Sequence, residues 1–162
     1  MSKQPYLLEQ SLGYIMGRAA RSLGQRLTRN FTCAGYEVTC EQWAILVYLG
    51  QKNGQNQQDL SAQTCKDKTS MVRLIDGMEK RNLVVRIPDK TDKRQKMIYL
   101  TAKGKEFRKK LEGIVQKTIE EAEVGIKPQD MAFCKYILQK IYGNLAECKP
   151  KITVAHATKK IT

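Results

Sequence analysis

Lys90, Lys93 and Arg94 fall within five consecutive residues of the stretch RIPDKTDKRQKMIYLTAKG, residues 86–104. Two short apolar runs, VVRI (84–87) and MIYL (97–100), flank them. Cations concentrated at one exposed point bind phosphate, because neutralising a polyanion releases its condensed counterions. Upstream, Thr69, Ser70 and Arg73 have the spacing of an exposed helix start. An arginine pairs bidentately with a guanine edge, and a hydroxyl meets a base or a phosphate. Lys66, Lys68 and Arg86 lie beside these groups and are expected at phosphates. The plain alternatives are a solvated hairpin tip and an ordinary helix start, so the case rests on what positions the side chains.

A short helix is expected over QQDLSAQT, a tight polar turn over CKDK with Asp67 as N-cap, and an amphipathic helix over residues 68–81. Met71, Leu74, Ile75 and Met78 share the inner face of that helix. Thr69, Arg73, Asp76 and Lys80 share the outer face, with Ser70 at its edge. Asn82 is expected to end the helix, since Asn tolerates left-handed geometry. Strands Val84–Ile87 and Met97–Leu100 follow, with the cationic tip between them. A helix, a turn, a second helix and a hairpin make a helix-turn-helix with a wing. The second helix fits the DNA major groove, and the tip reaches the flanking backbone or minor groove.

The remaining elements are helical. Residues 6–29 carry an apolar stripe of Leu8, Leu12, Ile15, Ala19, Leu23 and Leu27, and FTCAGYEV is expected to break that helix. Thr39 with Gln42 forms a capping box for the next helix, and Val38 with Trp43 is the candidate hydrophobic staple. Thr101 is expected to cap a long helix, basic in its first half and acidic in its second. Pro128 starts the last helix, with Met131, Cys134, Leu138, Ile141 and Leu145 as its stripe. The fold class is therefore mainly α with a small β-wing. Expected boundaries are a dimerisation helix over 1–32, a DNA-binding region over 33–101, dimerisation helices over 102–147 and a basic tail over 148–162.

The totals agree. The 162 residues carry a formal net charge of +13, which favours polyanionic partners. Residues 66–110 hold 15 Lys and Arg against 6 Asp and Glu, so this window contributes +9. No apolar run approaches the ~18–20 residues that cross a bilayer, and the N-terminus lacks a signal-peptide core. Five cysteines without a C-x-x-C pair mark no disulfide framework, so the expected setting is a reducing cytoplasm without membrane attachment. No phosphate-loop, dinucleotide, zinc-protease or nucleophile-elbow motif is present, and His156 stands alone in the tail. An enzyme is not expected, nor a cofactor or metal.

The stretch DLSAQTCKDKTSMVRLIDGMEKRNLVVRIPDKTDKRQKMIYLTAKG resembles the winged-helix core of the MarR family, the multiple-antibiotic-resistance regulators. The carrying residues are the D-x-R of the wing, Asp92 and Arg94, and the L-T-x-x-G that follows, Leu100, Thr101 and Gly104. The likeness extends over about residues 6–147, with Asn82 where the family commonly has Gly. It implies a homodimeric regulator of double-stranded DNA whose terminal helices make the dimer. It implies that Arg94 enters the minor groove braced by Asp92, and that a ligand binds between the dimer and DNA-binding parts. Tyr14, Arg18, Tyr36 and Trp43 are the candidate lining for a small aromatic-acid effector. Some family members sense peroxide through a cysteine near the start of the first helix; this chain has none before Cys33. Cys65 lies in the turn before the recognition helix, and Cys134 is expected in the core. The leading expectation is a ligand-responsive repressor on a palindromic operator. The alternative is a basic helical interaction module that binds nucleic acid or protein without reading sequence.

Overall fold

The computed structural model describes residues 7–146; the basic tail, with Cys148 and His156, lies outside them. A 3-10 turn, Leu8–Gln10, leads into helix α1, Leu12–Cys33, capped by the Ser11 hydroxyl, which accepts from the Tyr14 N–H. Helix α2 spans Cys40–Gln51, strand β1 Gln55–Asn56, helix α3 Gln57–Thr64 and helix α4 Lys68–Lys80. Strands β2, Val84–Pro88, and β3, Lys96–Leu100, form the wing, followed by helices α5, Ala102–Glu123, and α6, Pro128–Ala146.

Helix α1 outruns the expected break at FTCAGYEV. Phe31 is fully buried and its ring lies 6.2 Å from that of Trp43, so packing carries the helix on until Gly35 turns the chain at φ +83°. The helix starts behave as the sequence implies. Thr39 and Gln42 form both bonds of the capping box, and Asp67 accepts from the Ser70 N–H at 2.9 Å. Asn82 adopts φ +61°, the left-handed geometry that ends α4. Gly77 has no steric need to be glycine, because a Cβ there would meet only Gln42 Nε2 at 3.5 Å.

The small sheet has the order β1-β3-β2, all antiparallel, with Arg86 opposite Ile98 and Gln55 opposite Ile98 on the other side. Strand β1 was absent from the sequence-level expectation; two residues are too few to show alternation. Beneath the sheet lies one apolar core. Ile45, Leu46 and Leu49 of α2 meet Leu60 of α3, Met71, Ile75 and Met78 of α4, and Ile98 of β3. Burying each such side chain stabilises the fold by roughly 1.5–3 kcal/mol. Phe31 of α1 and Leu111 of α5 belong to the same core. By internal packing the chain divides into two compact units between Ala122 and Glu123. In the second unit, Lys135 pairs with Glu123 at 2.9 Å and Phe133 stacks on Tyr136. Cys134, expected in the core, is exposed.

Candidate nucleic-acid interface

The outer face of α4 and the wing are joined by Arg86. Its guanidinium donates to Asp76 Oδ1 at 2.6 Å and to Glu79 Oε2, and its backbone N–H donates to Glu79 Oε1 at 3.2 Å. The Arg86 side chain is only 15% exposed, against 48% for Asp76 and 38% for Glu79. This corrects the expectation that Arg86 meets a phosphate: two carboxylates already occupy its fork. It is a positioning residue that locks β2 to α4. Asp76 and Glu79, one helical turn apart on α4, were the readable signal for that partner and were missed.

A second lock holds the far end of the wing. The Thr101 hydroxyl donates to Asn82 O at 2.7 Å and accepts from the Gly104 N–H at 2.9 Å, which caps α5. The Thr101 N–H donates to Leu83 O at 3.1 Å. A Cβ on Gly104 would stand 2.0 Å from that same Leu83 carbonyl oxygen. The spacing L-T-x-x-G thus has a steric cause: the first turn of α5 packs directly on backbone. Asn53 adds a third tie, accepting from the Leu100 N–H at 2.8 Å.

The tip is organised differently. Asp89 accepts from the N–H groups of Thr91 and Asp92, and Asp92 accepts from the Arg94 N–H at 3.0 Å and from the Gln95 amide. The Thr91 hydroxyl, then the Asp92 and Thr91 N–H groups, hold the Asp89 carboxyl below the usual range. Asp92 braces Arg94 through the backbone N–H of Arg94. The two acids of the tip are engaged by amides, so Lys90, Lys93 and Arg94 form no ion pair among the described residues.

On α4, Thr69 and Arg73 are exposed, and Arg73 likewise forms no ion pair among the described residues. The Ser70 hydroxyl donates to Asp67 Oδ2 at 2.6 Å, and this bond, with that of the Ser70 N–H, holds the Asp67 carboxyl low. Ser70 therefore works first as part of the cap and offers only its lone pairs outward. Lys66 lies 3.5 Å from Glu41 Oε1, and Lys68 is exposed at the first position of α4. A cleft of about 300 Å³ lined by Glu41, Lys66, Ser70, Arg73 and neighbouring residues runs along this face.

The four residues expected to line an effector pocket have the following neighbours in the fold. Arg18 lies over Tyr14 within α1, Tyr36 meets Phe107 edge-on at 5.7 Å, and Trp43 leans on Phe31. Tyr36 and Trp43 are packed against the core and so serve as structure. A cavity of about 400 Å³ opens between α1 and α2, lined by Arg21, Gly24, Thr28, Cys40 and Glu41 among others. Burial, then the Glu41 carboxylate, pushes the Cys40 thiol up, which makes it a poor thiolate nucleophile. Cys65 is exposed and left-handed at φ 52°, ending α3.

Residues 38–96 match the model of the MarR family. They form a MarR-family domain. The chain is also similar in structure to BpsR of Bordetella bronchiseptica, at 19% identity and a TM-score of 0.78 over 86% of this chain and 98% of that one. A MarR-family transcriptional regulator from Rhodococcus sp. RHA1 aligns at 25% identity and a TM-score of 0.72, over 82% of this chain and 95% of the other. CouR of Rhodococcus jostii RHA1, solved with p-coumaroyl-CoA, aligns at 23% identity and 0.72, over 85% and 95%. The fold shared with these structures is a winged helix, and no helix among the described residues is long and apolar enough to cross a membrane.

Proposed function

We propose that this MarR-family chain is a sequence-specific repressor that grips a palindromic operator as a homodimer. One observation carries the reading. The outer face of α4 and a cationic tip without ion pairs among the described residues are fixed to each other through Arg86, so they present one pre-organised surface. Thr69 and Arg73 read base edges in the major groove, with Ser70 beside them. Arg94 enters the flanking minor groove, while Lys90, Lys93, Lys68 and, once released from Glu41, Lys66 hold phosphates.

Dimerisation is supported by apolar surface that a single copy leaves in water. Leu12, Ile15 and Leu23 of α1 are exposed, as are Phe133, Tyr142 and Leu145 of α6. Pairing two chains buries such faces, and a two-fold protein matches half-sites ~10 bp apart. The effector is a small aromatic acid. BpsR, whose DNA binding is regulated by 6-hydroxynicotinic acid, makes that class the natural one to test; CouR, bound to p-coumaroyl-CoA, shows an aromatic acyl thioester on a similar fold. An effector that prefers a dimer of the wrong spacing releases DNA by population shift.

The test is selection of binding sites from a random duplex pool, repeated with candidate aromatic acids. The expected outcome is a palindrome preferred by ~10³ or more over random duplex at fixed salt. Equal binding to every duplex, with a steep salt dependence, is the result that would establish the non-reading module instead.

A further inference from the structure

Helix α5 brings Lys105, Arg108 and Lys109 to one side through their i, i+3, i+4 spacing. They face a cavity of about 280 Å³ whose opposite wall includes Gly50 at the end of α2, Asn53 and Leu100. None of the residues assigned above to DNA lines it. The guanidinium of Arg108 lies against Gly50, so close that a Cβ there would sit 2.9 Å from one of its nitrogens.

The charges in this cavity do not cancel. Glu112 reaches Arg108 only at 3.5 Å, and Glu106 is paired elsewhere, with Lys110 at 2.7 Å. Lys105 and Lys109 form no ion pair among the described residues. The C-terminal end of α2 supplies roughly −0.5 of a charge, which with Glu112 still leaves an excess of about +1.5 beside the cavity. Asn53 is also oriented for donation. Its Oδ1 accepts from the Leu100 N–H, which leaves Nδ2 as the group the cavity can use.

We propose that this cavity is a binding site for a compact phosphate-bearing anion, separate from the DNA-reading surface. A planar guanidinium, two ammonium groups and an amide supply donors to several oxygens at once, as a phosphate dianion requires. A single carboxylate answers only one of the positive charges. The volume lies at the lower end of ligand pockets, which suits free phosphate or a small phosphomonoester. Because Asn53 holds the Leu100 amide, the bound anion touches a residue that anchors the wing.

The experiment titrates inorganic phosphate into the full-length protein at constant ionic strength, with chloride as the matched control, while backbone amide resonances are followed. Saturable shifts are expected at Asn53, Leu100 and Lys105. The exposed pair Lys105→Gln/Lys109→Gln should weaken phosphate binding at least about tenfold, and Lys90→Gln/Lys93→Gln should leave it unchanged. Equal shifts with chloride, shifts centred on the wing tip, or unaltered affinity in the Lys105/Lys109 variant would overturn the site. A DNA arm separates the two sources of phosphate. The Lys105/Lys109 variant should keep the salt slope of duplex binding, whereas a fall of about 1.8 would assign both lysines to the DNA backbone and also overturn the proposal.

Discussion

The two ends of the wing solve opposite problems. At its base, the side chains of Arg86, Thr101 and Asn53 are committed. Arg86 is clamped by Asp76 and Glu79, Thr101 bridges Asn82 to Gly104, and Asn53 holds Leu100. At its tip, the carboxylates of Asp89 and Asp92 bind backbone amides and leave Lys90, Lys93 and Arg94 without an ion pair among the described residues. Fixing the base limits the entropy lost when the tip docks, and keeping the cations unpaired avoids breaking ion pairs first. A rigid stem with a free charged end is what a phosphate-seeking element needs.

The largest effect should come from the base. Gly104→Ala puts a methyl group 2.0 Å from the Leu83 oxygen, and neither backbone can retreat easily. A loss of about 3 kcal/mol or more is expected, read as a lower denaturant midpoint. Little change would show that the stem is looser than its contacts imply. Arg86→Ala should cost about 2 kcal/mol, less than the 3–5 of a fully buried pair because both carboxylates are partly in water. It should weaken operator binding as well, since the α4–wing angle is lost; unchanged binding would remove Arg86 as a positioning residue.

At the tip, stability and binding should separate. Arg94→Ala is expected to weaken operator binding about 10- to 100-fold while leaving the thermal midpoint within a degree or two. An intact affinity would contradict the minor-groove role. Lys90→Gln/Lys93→Gln should act more mildly and on every sequence alike, lowering the salt slope by about 1.8. The smallest effect is that of pH. Asp89 has a folded pKa below its unfolded value, so its contribution is present above the ordinary carboxylate range and is lost as pH falls through the depressed folded value. Amide shifts of Thr91 and Asp92 should stay constant from pH 7 to about 5 and change only below about 4. A midpoint near 6 would point to a different group.

Much of this arrangement was legible residue by residue. The caps at Thr39 and Asp67, the left-handed Asn82 and the inner face of α4 follow from local rules that act within four residues, and all stand as expected. Tyr36 and Trp43 look alike in sequence whether they line a pocket or pack a core. Phe107 and Phe31, their actual partners, are set by tertiary packing. Likewise the stripe of α6, apolar by spacing, says nothing about which surface covers it.

By itself, then, the sequence determined the helices and the two wing strands, their caps and the position of the charge, because each depends on backbone geometry and side-chain period over a few residues. Only the tertiary structure decided which charges are free. Arg86 and Arg94 sit eight positions apart in one hairpin and carry the same group, yet one is enclosed by the carboxylates of another helix and the other is not. That difference is made by what the fold brings within about 3 Å, a distance no local pattern encodes.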